Sequence, residues 1–119
     1  AIKCQTNQDT YIPPDLLKFH PGVAKAWLVI NGAGALQAPN YGITCVGDTG
    51  TGNRDVNFSV TFSDTDFAVT WAITDINAGT DKFQDISSRS TTDFTVILVD
   101  SSGSAKDNPS MHGVFGDLA

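Results

Sequence analysis

The chain is poor in charged residues, and above all in basic ones. Lysine and arginine contribute 7 residues against 13 acidic residues, which gives a formal net charge of −6. A surface of that sign repels phosphate backbones and anionic lipids, so we expect neither a nucleic-acid partner nor binding to an acidic membrane surface. No apolar run approaches the roughly 20 residues that a membrane-spanning helix needs.

Cysteine and histidine are also scarce. Cys4 and Cys45 are too few for a disulfide framework and lack the spacing of metal ligands. A bridge between them stays open, but Cys45 fits better as a small hydrophobic residue buried in a strand. His20 and His112 are the only histidines, and no second member of a nucleophilic triad accompanies either one. We therefore predict no catalytic residue, no metal and no cofactor, and a protein that is not an enzyme.

Glycine and small polar residues are abundant instead. The 11 glycines, with many threonines, serines and aspartates, are typical of strands joined by tight turns. A length of 119 residues with 40% hydrophobic residues fits one folded domain. A domain this small buries a modest fraction of its surface, so association with further copies would add stability.

The N-terminal part of the chain differs from the rest. Pro13, Pro14 and Pro21 interrupt any regular helix or central strand. We therefore predict an irregular arm over residues 1–22, with one short turn at residues 15–19. Residues 23–119 are predicted to form a single β-domain.

Two segments alternate between apolar and polar residues, as strands with one buried face do. The residues predicted to face the core are Val56, Phe58, Val60 and Phe62 in the first segment and Phe67, Val69, Trp71 and Ile73 in the second. Further strands are predicted at residues 43–46, 94–99 and 111–115, with a weaker candidate at 83–90 and a glycine-rich hairpin loop at 47–55. This succession predicts an all-β fold, a small antiparallel β-sandwich of jelly-roll or immunoglobulin-like type.

Residues 23–30 form a strand-length run in which both alternating sets are largely apolar. Such a strand is expected to be covered on both faces. The core of the domain would supply one cover, and a neighbouring subunit would supply the other. Lys25, Trp27 and Val29 are the residues that we expect at this subunit interface.

One triplet suggests catalysis. Asp48-Thr49-Gly50 resembles the active-site turn of aspartic proteases, in which two carboxylates share a proton across a two-fold axis. That family places an apolar residue before the aspartate and usually alanine after the glycine, whereas Gly47 and Thr51 stand here. A homodimeric protease using Asp48 is therefore an alternative, and a solvated hairpin turn explains the triplet better.

A longer stretch carries a more specific resemblance. His20-Pro21-Gly22-Val23-Ala24-Lys25-Ala26-Trp27, followed by the turn Asn31-Gly32-Ala33-Gly34, resembles a signature of the C-terminal domains of bacteriophage tail fibres. A glycine-rich hairpin at residues 41–58 and the chain end at residues 100–117 are similar to the same family. The chain departs from the family at Asn53-Arg54-Asp55, where Gly-Asp-Tyr is usual, and at Gly42-Ile43-Thr44. Both departures fall in loops, so the identity of a ligand does not transfer.

The resemblance implies a virion component, a homotrimer joined to the remainder of a tail fibre. Its loops would recognise a host cell-surface glycan or protein, and a trimer would strengthen weak individual contacts by linking three copies. The residues expected to contact the receptor are Tyr41, Asp48, Thr49, Asn53, Arg54, Ser102 and Lys106. The alternative is a purely structural domain that trimerises or caps a virion fibre.

Overall fold

The computed structural model describes residues 14–20, 22–73 and 82–119. Within these ranges the elements are α1 (Pro14–Leu17), β1 (Ala26–Ile30), β2 (Ile43–Gly50), β3 (Asn53–Phe58), β4 (Ala68–Ile73), β5 (Lys82–Arg89), β6 (Asp93–Asp100) and β7 (Ser110–Phe115). None of the helical structure in these ranges is long and apolar enough to cross a membrane. The short helix α1 lies in the predicted arm, while residues 1–13 and Pro21 of that arm lie outside the described residues.

The strands form two antiparallel sheets, so the predicted all-β sandwich is confirmed. One sheet has the order β1-β7-β4 and the other the order β2-β3-β6-β5. The first and last of the described strands, β1 and β7, pair with each other in the three-stranded sheet. This order differs from that of immunoglobulin domains, in which the first strand lies beside the second.

Alternation of buried and half-buried residues along β3 and β6 builds the core, because successive side chains of a strand point to opposite faces. Ala26, Leu28 and Ile30 of β1 meet them from the other sheet, and all three are buried. The buried core consists of Ala26, Leu28, Ile30, Val56, Phe58, Phe62, Phe67, Phe94, Val96, Leu98 and Val114.

Four phenylalanine rings fill one end of this core, which we call the aromatic end. They are Phe58, Phe62, Phe67 and Phe94, and their contacting ring centroids lie 4.8 to 6.2 Å apart. Several pairs meet edge to face, which suits the opposite charge of ring edges and ring faces. Phe62 was predicted within a strand, but β3 ends at Phe58. The amide of Phe62 instead donates to the carbonyl of Thr91, so the chain leaves the sheet while its ring stays in the core.

The opposite end of the sandwich carries the connections between strands, and we call it the loop end. There β2 runs on to Gly50 and β3 begins at Asn53, so the predicted loop at residues 47–55 is mostly strand. The remaining turn depends on Gly52, whose φ is 69°. A Cβ at this position would lie 2.5 Å from the carbonyl oxygen of Leu98, so glycine alone fits.

Two burial predictions were wrong, both on edge strands. Trp71 was predicted in the core, but it is 45% exposed because, among the described strands, β4 is the outermost of its sheet and has a neighbour on one side only. Cys45 was predicted to be buried, but it is exposed. Its partner across the β2–β3 ladder is Asn57, which points away from the core. Cys4 lies outside the described residues, so the proposed bridge stays a prediction.

Candidate functional site

Three connections meet at the loop end: residues 31–35, the turn at Thr51 and Gly52, and residues 101–109. Asp107 joins the last two, because its Oδ1 accepts hydrogen bonds from the amide of Gly52 at 2.7 Å and from Nη2 of Arg54 at 3.2 Å. The first connection packs on the same group, since a Cβ on Gly34 would lie 2.8 Å from Nε of Arg54. The loops therefore form one continuous surface.

Most of the predicted receptor-contact residues lie at this surface. Asp48, Thr49, Asn53 and Arg54 flank the β2–β3 turn, and Ser102 and Lys106 lie on the β6–β7 connection. The backbone joins the two groups, because the amide of Leu98 donates to the carbonyl of Gly52 and the amide of Lys106 donates to the carbonyl of Leu98. Sequence reasoning could not establish this proximity, since the two groups are about fifty residues apart.

Arg54 holds the loops together from inside. Its side chain is fully buried and forms an ion pair with the half-exposed carboxylate of Asp107. Nε and Nη1 of the same guanidinium have no hydrogen-bond partner within the described residues. A buried charge with incomplete pairing costs stability, and its benefit lies in the geometry that it imposes. Arg54 therefore positions the loops and is not itself accessible to a large ligand.

Asp100 organises the β6–β7 connection. Its Oδ1 accepts hydrogen bonds from the Ser102 hydroxyl at 2.6 Å, the Ser102 amide at 2.9 Å and the Ser104 amide at 3.0 Å. Nζ of Lys106 lies 3.5 Å from its other oxygen. The Ser102 hydroxyl, helped by the two amides and Lys106, outweighs burial and lowers the pKa of Asp100 to about 2. The loop is thus preorganised, with its carboxylate ionised at neutral pH.

The exposed groups at the loop end suit hydrogen bonding to a polar ligand. Asp48, Thr49 and Ser102 are exposed, and the Lys106 side chain is 43% exposed. The carboxylate of Asp48 accepts a hydrogen bond from the amide of Gly50 at 3.3 Å, as in an aspartate-initiated turn. Across the described ranges, no group of three or more histidine, cysteine or acidic side chains is placed to hold a metal ion.

Tyr41 lies away from the loop cluster. It forms an isolated antiparallel bridge with Trp27, with amide-to-carbonyl distances of 2.9 and 3.0 Å in the two directions. Tyr41 is 54% exposed and Trp27 is 39% exposed. The two aromatic residues therefore lie side by side at the edge of β1, on the outside of the three-stranded sheet.

That outer surface contains a groove of about 350 Å³. We call the residues that point outward from the three strands the apolar face: Trp27, Val29, Thr70, Ala72, Met111 and Gly113. Two predicted interface residues, Trp27 and Val29, belong to it. The third, Lys25, is 2% exposed, and its Nζ donates to the carbonyl oxygens of His20 at 2.7 Å and Val23 at 2.8 Å. Lys25 thus offers almost no surface to a second chain.

A buried polar group between the sheets was missed from sequence. Nε2 of His112 lies 2.9 Å from the Ser110 hydroxyl, and Nδ1 lies 3.4 Å from Nε2 of Gln84 on β5. Burial lowers the pKa of His112 to about 4. Ser110 is only 1% exposed, so this pair cannot reach a substrate and acts as a structural brace. The period of two along Ser110, His112 and Val114 was the signal that placed them on one face.

No protein-family model matches the chain, and comparison with curated proteins and with solved structures gave no significant match.

Proposed function

We propose that this domain is the C-terminal, host-recognising part of a bacteriophage tail fibre, acting as a trimer on the virion and contacting a bacterial surface glycan or protein through its loop end. The motif around Lys25 and Trp27 supports the family. The observation that supports the role is the preorganised loop end, where the buried Arg54 and the half-exposed Asp107 hold a surface of exposed hydroxyl, carboxylate and ammonium groups. Rigid loops lose little entropy on binding, which favours recognition of a polar ligand.

The orientation of the domain agrees with such a role. Residues 22–25 lead into β1 at the aromatic end, where the amide of Lys25 donates to the carbonyl of Val114. β1 then runs to Ile30, whose register partner Ser110 lies beside the loop end. The loop surface is therefore on the side of the domain opposite the segment that precedes β1.

The proposed contacts divide into two roles. Asp48, Thr49, Ser102 and Lys106 are exposed and would touch the receptor. Asn53 is half-buried, and Arg54 acts from beneath by positioning the turn. Tyr41 would contribute only through a second surface, because its partner Trp27 lies on the outside of the three-stranded sheet.

Binding of the labelled full chain to a panel of bacterial strains tests the proposal. We expect at least one strain to bind, and the double substitution Thr49→Ala with Lys106→Ala to weaken binding at least tenfold. The matched control is Thr65→Ala with Lys18→Ala, which removes the same two residue types from exposed positions away from the loop end. Equal binding by both double variants would overturn the proposal.

The second candidate is a structural trimerising or capping domain of a virion fibre. The observation that favours it is the apolar face, which has no partner within the described residues. Phage particles that carry the loop variant separate the two roles. If they assemble normally and adsorb to their host at an unchanged rate, the structural role is the better description.

A further inference from the structure

The apolar face is uncharged across its whole width. Two rows cross the sheet, one formed by Trp27, Gly113 and Thr70 and the other by Val29, Met111 and Ala72. Trp27 and Met111 are 39% and 40% exposed, so large apolar groups lie in solvent. Aromatic residues and methionine are enriched in protein interfaces, and charged residues are depleted from their centres.

The face carries a projection and a hollow beside each other. Gly113 lies between Trp27 and Thr70 in the middle of the sheet, and it leaves the floor of the groove without a side chain. A Cβ at Gly113 would lie 2.9 Å from the Thr70 hydroxyl. An indole ring next to a hollow of about 350 Å³ makes a surface that can receive a copy of its own projection.

The chemistry of the groove disfavours a sugar as its occupant. Sugar hydroxyls need several free hydrogen-bonding groups, and the side chains of the apolar face offer only the Thr70 hydroxyl and the indole N–H of Trp27. That hydroxyl already donates to the carbonyl oxygen of Gly113 at 3.2 Å. An apolar protein surface gives up no hydrogen bonds to water when it packs against this groove. A polar ligand would lose its hydrogen bonds to water without enough replacements.

The distribution of charge favours this face over the others for contact between identical chains. The chain has a formal net charge of −6, so two copies repel each other over most of their surfaces. The outer face of the four-stranded sheet carries Asp55, Asp85 and Asp93, which would place like charges opposite one another in a pairing of copies. The apolar face lets two copies meet without burying any carboxylate.

We propose that the apolar face is an interface between copies of this chain, in which the Trp27 ring of one copy enters the hollow above Gly113 of the next. The face, with Tyr41 at its rim, is about four strands wide and six residues long, or roughly 400 Å² in projection. A standard interface covers about 800 Å² per partner, so the association of the isolated domain is weak and depends on concentration. The interface contains none of the loop-end residues: it rests on the trimer of the proposed function and does not depend on host recognition.

Sedimentation velocity of the full chain between about 1 μM and 1 mM tests the interface. We expect the mass to rise from 12.6 kDa toward a dimer or trimer with concentration. Met111→Asp is expected to raise the dissociation constant at least tenfold. The matched control is Phe83→Asp, which charges a 52% exposed apolar residue on the outer face of the other sheet and leaves association unchanged.

Fluorescence gives a second readout on the same surface. Only two tryptophans are present, so Trp71→Phe leaves Trp27 as the reporter, and its emission should shift to shorter wavelength as copies associate. Ala72→Asp serves as a second disrupting variant should Met111→Asp fail to fold. A mass of 12.6 kDa throughout, or equal dissociation by the Met111 and Phe83 variants, overturns the interface. The double loop variant should associate normally, which separates this result from host recognition.

Discussion

The two ends of the sandwich are packed by different kinds of side chain. The aromatic end is filled by four phenylalanine rings that interlock without a hydrogen bond. The half of the core toward the loop end contains buried polar residues: Arg54, Asp100, Asn108, Ser110 and His112. Lys25 is the polar exception on the aromatic side, and its ammonium group donates to backbone carbonyls.

The aromatic end therefore contributes most of the stability, and the loop end fixes the positions of its side chains. Apolar burial is non-directional, so the rings stabilise the fold without fixing any one group in space. Hydrogen bonds and ion pairs contribute less net free energy, but they define positions. Among the described residues, Nε and Nη1 of Arg54 have no hydrogen-bond partner beneath the loops, and neither does Oε1 of Gln84 beside His112. Burial of these polar atoms lowers the stability of the loop end, while the bonds that are formed there define its surface.

Removing a ring from the aromatic end should have the largest effect. Phe94→Ala deletes a fully buried ring that contacts Phe58 and Phe67, and it should lower the free energy of unfolding by about 3 to 5 kcal/mol. Urea denaturation measures this change. Phe83→Ala is the control, because that ring is 52% exposed and its loss should cost far less. Similar losses for both variants would contradict the role of the aromatic end.

Breaking the ion pair at the loop end should have the next largest effect. Asp107→Ala leaves the buried Arg54 guanidinium without its carboxylate, and we expect a loss of about 2 to 3 kcal/mol, reduced from the fully buried case because Asp107 is half exposed. Arg54→Met removes the buried charge itself and should be nearly neutral or stabilising. Equal destabilisation by the two variants would show that the ion pair stabilises the fold and does not only position the loops.

Acid should weaken the brace between the sheets. The unfolded chain protonates His112 near its ordinary pKa of 6.5, while the folded protein resists protonation until about pH 4. The unfolded state therefore binds more protons in that window. The free energy of unfolding should decrease as the pH is lowered, by on the order of 2 kcal/mol between pH 7 and pH 5. His112→Gln should flatten this part of the profile. A wild-type slope that survives the substitution would assign the acid sensitivity to other groups.

The smallest effect is expected from the loop carboxylate. Ser102→Ala removes the hydrogen bond that contributes most to the low pKa of Asp100, so the pKa should rise toward its ordinary value of 3.8. Because that pKa is lowered in the folded state, the stability linked to Asp100 is present above pH 3.8 and is lost as pH falls toward 2. Carboxyl NMR chemical shifts followed against pH measure the change. Ser101→Ala, at the neighbouring exposed position, should leave the titration unaltered.

Local pattern predicted much of the strand content. Strands β6 and β7 lie within one residue of the positions expected from alternation, and the weaker candidate β5 is also present. The apolar periodicity of β3 correctly placed Val56 and Phe58 in the core. It failed at Trp71, because alternation reports which side of a strand a residue occupies and not whether a second layer covers that side. Cys45 on β2 failed for a different reason, because its register partner Asn57 lies on the side of the sheet that faces away from the core.

The candidate site was less predictable than the fold. The serine-rich segment after Asp100 identified a loop, because such residues favour turns, but the glycine-rich loop predicted at residues 47–55 is mostly strand. Nothing in the sequence indicated that Arg54 would be buried while Lys106 remained accessible. The ion pair between Arg54 and Asp107 joins two segments that are far apart in the chain. It forms because β3, which carries Arg54, lies beside β6, which leads into the connection that carries Asp107.

The sequence by itself determined the all-β character and an apolar strand within residues 23–30, which the structure forms at Ala26–Ile30, because both follow from the pattern of side chains. Only the tertiary structure decided which strands lie at sheet edges and which loops meet at one end. It placed β1 beside β7 and β4, and so gathered Trp27, Met111 and Gly113 on one uncharged face. These outcomes depend on contacts between residues far apart in the chain, and a local pattern does not record them.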